Sequence, residues 1–220
     1  GVTVGNDNNT ISNCNIGPNG SSLPTKHFYG NGSTTSTALG NSGISITGNN
    51  IFDYFGAATT SAGIYTAAGC NNWSITNNKF YQTAARTWTS GVQHSAIWIL
   101  NSSATSGAQG FTITGNIIGY SSSSQTGTYA LSGSSGIFQG ILFNGISTGT
   151  TTTVSNNTIA NISVTGVTTS GTSTSSPFVA MMLTEGNFIS NGNTIGSQSA
   201  TGSLLFTTTT TTGTDVDRKS

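Results

Sequence analysis

Ser45–Phe52 reads SITGNNIF, and the same phrase returns along the chain. Ser74–Tyr81 reads SITNNKFY, Thr112–Gly119 reads TITGNIIG and Thr153–Ala160 reads TVSNNTIA. The shared core is [ST]-[IV]-[ST]-[NG]-N-x-[IF]. An earlier copy runs from Thr10 to Ile16 with Cys14 at the second Asn position, and a sixth, Phe188 to Ile195, carries one extra residue before Asn193. The central residues Ile11, Ile46, Ile75, Ile113, Val154 and Ile189 are spaced by 35, 29, 38, 41 and 35. A fixed motif at variable spacing is one structural unit joined by loops of changing length.

A second apolar stretch lies between copies. It comprises His27-Phe28-Tyr29, Gly63-Ile64-Tyr65, Ala96 to Leu100, Gly140 to Phe143 and Val179 to Leu183; Leu204-Leu205-Phe206 is expected to begin a last one. Each piece is too short for a helix and rich in β-branched or aromatic residues. Gly and Asn mark the breaks, where left-handed backbone costs little. Three short strands per unit, stacked unit on unit, describe an all-β parallel solenoid of roughly five to six coils at about 4.8 Å per coil. Residues 1–206 form one domain in this reading, and 207–220 a Thr-rich tail or linker.

The I-T-x-N-x-I core, preceded by a G-I-x strand, resembles the right-handed parallel β-helix of the pectin-lyase-like superfamily from about Thr10 to Phe206. The resemblance implies a ladder of stacked Asn side chains inside one turn, here Asn49, Asn78, Asn116, Asn157 and Asn193, with Cys14 in that place in the first coil. The composition also resembles repeat modules of large secreted bacterial surface proteins.

Composition narrows the function. Thr, Ser, Asn and Gly number 40, 33, 23 and 30 of 220 residues, and only 5% are charged. Five scattered Lys and Arg form no basic stripe for nucleic acid. No window has the apolar length of a membrane span. The scarcity of Lys and Glu points to an extracellular setting. Cys14 and Cys70 fall about two coils apart, so both are expected free and buried rather than bridged. No segment caps either end of the solenoid, so the expectation is a longer parent protein, or stacking on other modules or neighbouring copies.

Enzymes on the resembled fold are often polysaccharide lyases or hydrolases, which need clustered carboxylates. The five acids are Asp7, Asp53, Glu185, Asp215 and Asp217. Asp53 and Glu185 fall three coils, roughly 14 Å, apart, and no pair or calcium cluster is evident. His27 and His94 lie on separate coils, too few and too scattered for zinc. Neither a catalytic set, a metal nor a cofactor is assigned.

The G-I-x strands carry the candidate site. With Phe28, Ile64, Ile97 and Ile141 inward, Tyr29, Tyr65, Trp98 and Leu142 point out and stack as a mostly aromatic file. Such a file suits the flat faces of sugar rings; alternatively the long loops cover it, or it packs on a neighbouring domain. Arg86, Trp88 and His94, in the loop Gln82 to Ser95, are expected to cover or border it. The other long loops are Asp53 to Ala62, Tyr120 to Gln139 and Asn161 to Pro177. The [ST]-[IV]-[ST] cores place two hydroxyl files on one sheet: Thr10/Ser12, Ser45/Thr47, Ser74/Thr76, Thr112/Thr114 and Thr153/Ser155. That pattern resembles the T-x-T face of β-helical ice-binding proteins. The leading expectation is a non-catalytic, adhesin-like surface module contacting neutral polysaccharide; the alternatives are a lyase or hydrolase of the resembled fold, and an ice binder.

Overall fold

A computed structural model describes residues 5–100, 107–146, 149–167, 176–197 and 203–208. Among these the regular structure is strand, apart from one 3-10 turn at Thr37–Leu39. It forms a right-handed parallel β-helix, the handedness that right-twisted strands impose on parallel crossovers.

The repeat cores make one six-stranded sheet from Thr10–Ser12, Ser45–Thr47, Ser74–Thr76, Thr112–Thr114, Thr152–Ser155 and Phe188–Ile189. The segments after the ladder Asn make a second: Asn15–Ile16, Asn50–Phe52, Lys79–Tyr81, Ile117–Gly119, Thr158–Ala160 and Thr194–Ile195. A long sheet follows, from Lys26–Gly30, Ser61–Thr66, Gln93–Ile99, Ile137–Asn144 and Phe178–Thr184. Ile46, Ile75, Ile113 and Val154 of the first sheet, Ile51, Phe80, Ile118 and Ile159 of the second, and Ile64, Ile97 and Ile141 of the long one are fully buried in one core.

A fourth sheet was not expected. Arg86–Thr87, Tyr129–Ser132, Ile162–Val167 and Leu204–Thr208 pair in parallel, so three of the long loops contain strands. Its inward residues follow a two-residue alternation: Tyr129 pairs with Ile162 and Ile162 with Leu204, while Leu131 pairs with Val164 and Val164 with Phe206. Leu204-Leu205-Phe206 therefore belongs here and not to the long sheet. In each coil from Ser74 on, the fourth-sheet strand is the first to follow the second sheet, and Leu204 follows Thr194–Ile195 in the same way. This strand crosses the expected boundary at residue 206; residues 209–220 lie outside the described residues.

Two further expectations change. In the sixth copy Thr152 pairs with Phe188 and Thr153 with Ile189. This one-residue slip, matching the extra residue before Asn193, reverses the faces: Phe188 packs on Phe143, ring centroids 5.4 Å apart, and Ile189 is 50% exposed. Both cysteines are free, but only Cys70 is buried. Cys14 is exposed because it belongs to the first rung, which has no described rung beneath it.

The Asn ladder fixes the register. The Asn78 backbone N–H and Nδ2 both donate to Asn116 Oδ1, at 3.0 and 3.1 Å, and Asn116 Nδ2 also reaches back to the Ile75 carbonyl at 2.8 Å. The same pattern links Asn49 to Asn78, Asn116 to Asn157 and Asn157 to Asn193. Cys14 N–H donates to Asn49 Oδ1 at 3.0 Å, so the cysteine keeps the backbone half of the pattern.

The residue before each ladder position is left-handed, and its identity alternates: Asn13, Gly48, Asn77, Gly115, Asn156, Gly192, with φ from 55° to 67°. The alternation has a steric cause. A Cβ on Gly48, Gly115 or Gly192 would lie 2.6, 2.3 or 2.1 Å from the Oδ1 of Asn13, Asn77 or Asn156 in the preceding rung. An Asn side chain therefore occupies the room that glycine leaves above it. Gly115→Asn is expected to destabilise the fold by about 1–3 kcal/mol, although Asn occupies the same place in alternate rungs. Adding Asn77→Gly should restore most of the loss. Urea unfolding of the two single variants and the double variant checks this coupling.

Candidate functional site

The outer face of the long sheet carries the aromatic file. Tyr29 pairs with Tyr65, Tyr65 with Trp98, Trp98 with Leu142 and Leu142 with Met182. Exposure falls along it: Tyr29 is 61% exposed, Tyr65 and Trp98 are half-buried, and Leu142 is 6% exposed. The surface on offer is thus a three-ring strip at the end of the file nearest the first rung.

Ring geometry refines what the strip can hold. Tyr29 and Tyr65 stack at 5.6 Å with 15° between planes, and Lys26 Nζ lies 5.1 Å from the Tyr65 centroid. Trp98 approaches Tyr65 from the following rung, centroids 5.1 Å apart and planes at 90°. Tyr65 is therefore in ring contact with a neighbour in each adjoining rung and remains half-exposed. Trp98 and Tyr65 thus meet at right angles, the edge of one ring against the face of the other. The Tyr29 face opposite Tyr65 meets no further rung among the described residues. The Trp98 indole N–H is shielded and has no hydrogen-bond partner among the described residues. Burial, with Tyr29 adding to it, raises the Tyr65 pKa, which keeps the phenol a neutral hydrogen-bonding group.

Arg86, Trp88 and His94 do not border this strip. Arg86 enters the fourth sheet, Trp88 follows it, and His94 is buried within the long sheet. Arg86 Nη2 pairs with Asp53 Oδ1 at 2.5 Å, and its Nε donates to Gln82 Oε1 at 2.8 Å. Trp88 is 3% exposed and lies on Gly136, where a Cβ would be 1.9 Å from the indole. His94 is strand, not loop, and fully buried, with Nδ1 2.7 Å from Ser61 Oγ and Nε2 2.5 Å from the Tyr129 hydroxyl.

These groups form a buried polar network. Tyr129 bonds to Tyr54 at 3.3 Å, and Gln82 Nε2 donates to the Tyr54 carbonyl at 2.7 Å and to the Tyr129 hydroxyl at 3.4 Å. Asp53, left-handed at φ 56°, also accepts from the Thr83 N–H and hydroxyl. Burial, with the Arg86 charge adding to it, pushes His94 down to about 3, and burial raises Tyr54 and Tyr129 well above the ordinary phenol value. A neutral imidazole between two hydroxyls, away from solvent, satisfies buried polar atoms and meets no substrate.

The remaining acids are separate. Asp7 Oδ1 accepts from the Ser42 N–H and hydroxyl, while Glu185 stands in a left-handed turn after Phe178–Thr184. Asp215 and Asp217 lie outside the described residues. No group of three or more His, Cys, Asp or Glu is placed to hold a metal among the described residues, and no helix there is long and apolar enough to cross a membrane. On the repeat sheet the hydroxyl files are in register, but Thr47 and Thr76 bond to each other at 2.8 Å and Ser155 is buried, accepting from Asn191 N–H. No family model, curated protein or solved structure matches the chain.

The His94 environment sets a pH dependence. The unfolded imidazole gains its proton near pH 6.5, whereas the folded one stays neutral down to about 3. Folding stability therefore declines as pH falls below 6.5 and is unaffected by this group above it. Burial lowers the His27 pKa as well, which adds in the same direction. Imidazole 15N NMR should find His94 neutral at about pH 5, where an ordinary histidine is mostly protonated. An imidazolium signal there would contradict the buried placement.

Proposed function

We propose that this chain is a non-catalytic, extracellular surface module that contacts polysaccharide through Tyr29, Tyr65 and Trp98. The observation that carries the reading is the strip itself: three aromatic rings in register, solvent-facing, on a rigid parallel sheet. Aromatic rings contribute large contact area at little conformational cost. A chain with 5% charged residues and an abundance of Ser, Thr and Asn suits the hydroxyl-rich, uncharged surface of a neutral polysaccharide. The likeness of the repeat to the pectin-lyase-like superfamily and to repeat modules of secreted bacterial surface proteins agrees with this setting. A spacing role in a longer protein is compatible with it, since the solenoid holds the strip at a fixed place along its axis.

Ring geometry separates the contributions. Trp98, the largest ring of the strip, carries more of the contact than Tyr65, which lies between two ring neighbours. Pulldown on insoluble neutral polysaccharides and a glycan array test the reading. Trp98→Ala should weaken binding by about tenfold or more, Tyr65→Phe by less, and both variants should unfold at the wild-type temperature within a few degrees. Binding that survives Trp98→Ala unchanged, or no binding to any glycan, would defeat the proposal.

A further inference from the structure

Beside the strip lies a cleft of about 620 Å³, at the corner where the long sheet turns toward the repeat sheet. Its wall includes Asn6, Asn31, Gly32, Ser33, Leu39 and Asn41. Asn31 is two residues past Tyr29, so the cleft opens where the exposed ring ends its strand.

Backbone contacts hold the cleft in shape. Gly32 N–H donates to the Ala68 carbonyl at 2.7 Å, Asn41 N–H to Gly69 at 2.8 Å, and Gly5 N–H to Ala38 at 3.1 Å. Asn41–Ser42 pairs with Cys70–Asn71 behind it. Gly32 is required here, because a Cβ would lie 2.0 Å from the Gly69 carbonyl. These bonds and pairings fix the backbone of the site, a depression wide open to solvent.

Its chemistry is that of amides with spare capacity. Asn41 Nδ2 donates to the Asn31 carbonyl at 3.1 Å and Asn6 Oδ1 accepts from Asn9 at 2.8 Å. These bonds orient Asn41 and Asn6 while leaving Asn41 Oδ1 and Asn6 Nδ2 without partners among the described residues. The Asn31 side chain, exposed, likewise has none there. Leu39 supplies one apolar surface, and no charged side chain among the described residues lines the cleft.

We infer that this cleft is a saccharide subsite, in which Asn6, Asn31 and Asn41 read the hydroxyls of one or two neutral sugar units while Tyr29 meets the adjoining ring. Each amide pairs a donor with an acceptor, which matches the donor-acceptor hydroxyls of a sugar. The absence of lining charge selects uncharged units over uronates or phosphates. The inference rests on the polysaccharide reading and adds the place where the ligand's identity is decided, since hydrogen-bonding sites discriminate more sharply than apolar ones.

The test is an NMR titration of the wild-type chain with cellohexaose, laminarihexaose and mannohexaose. It follows the side-chain amides of Asn6, Asn31 and Asn41, the Tyr29 ring and the Trp98 indole N–H. At least one sugar should shift cleft amides and the indole together, saturably. Asn31→Ala should weaken that sugar roughly tenfold with an unchanged melting temperature. Shifts at Trp98 without shifts in the cleft would overturn the subsite and leave the aromatic reading standing. Silence at both would overturn the two together, and full affinity in Asn31→Ala would overturn the subsite alone.

Discussion

The fold depends on one repeated hydrogen-bond pattern, the buried asparagine ladder. Each internal ladder side chain accepts twice from the rung on one side, donates to the next rung and donates back to a carbonyl of the previous one. A buried amide with unmet bonds is costly, so the pattern holds only when every rung is in register. The backbone ladders tolerate small slips along a strand; the side-chain ladder does not. It runs from Asn49 to Asn193 with the first rung contributing only the Cys14 N–H, while loop lengths vary around it.

Register carries through to the surface. With the rungs locked at the ladder, Tyr29, Tyr65 and Trp98 fall in one line on the long sheet. Stacking has a second consequence that limits the strip. Side chains in successive rungs face each other along the axis, so a ring in the middle of a file has a neighbour on each side, as Tyr65 does. Exposed ring surface therefore concentrates where the stacking ends, as at Tyr29. The cleft beside Asn31 occurs at another break, the corner where two turns meet at glycines.

Much of this was legible in the sequence because the repeat is written in residue types with narrow structural meaning. The β-branched residue between two hydroxyls and the Asn at a constant offset gave the parallel solenoid, the ladder positions and the outward direction of the file. The fourth sheet was missed because Tyr129-Ala130-Leu131 and Ile162-Ser163-Val164 alternate for only three residues inside Gly- and Ser-rich surroundings. That omission leaves Arg86 and Trp88 in a polar loop, and His94 reads as loop because the long-sheet strand begins at Gln93, ahead of its apolar run. The sixth rung slipped because an inserted residue can be absorbed on either side of the left-handed position, and only packing on Phe143 decides which. The cleft has no local signature, since Asn6, Asn31 and Asn41 meet through pairing between coils.

The most direct measurement is the unfolding free energy of Asn116→Ala beside Thr114→Ala. Asn116 is fully buried in the middle of the ladder, and Thr114 lies two residues away on the outer face of the same turn. Removing the Asn116 amide orphans donors on Asn78 and the Ile75 carbonyl, and should cost about 3 kcal/mol or more. Thr114→Ala should stay within about 0.5 kcal/mol of wild type. Equal, small losses for the two would mean that backbone pairing and core packing alone set the register, and the ladder would lose its place at the centre of the fold.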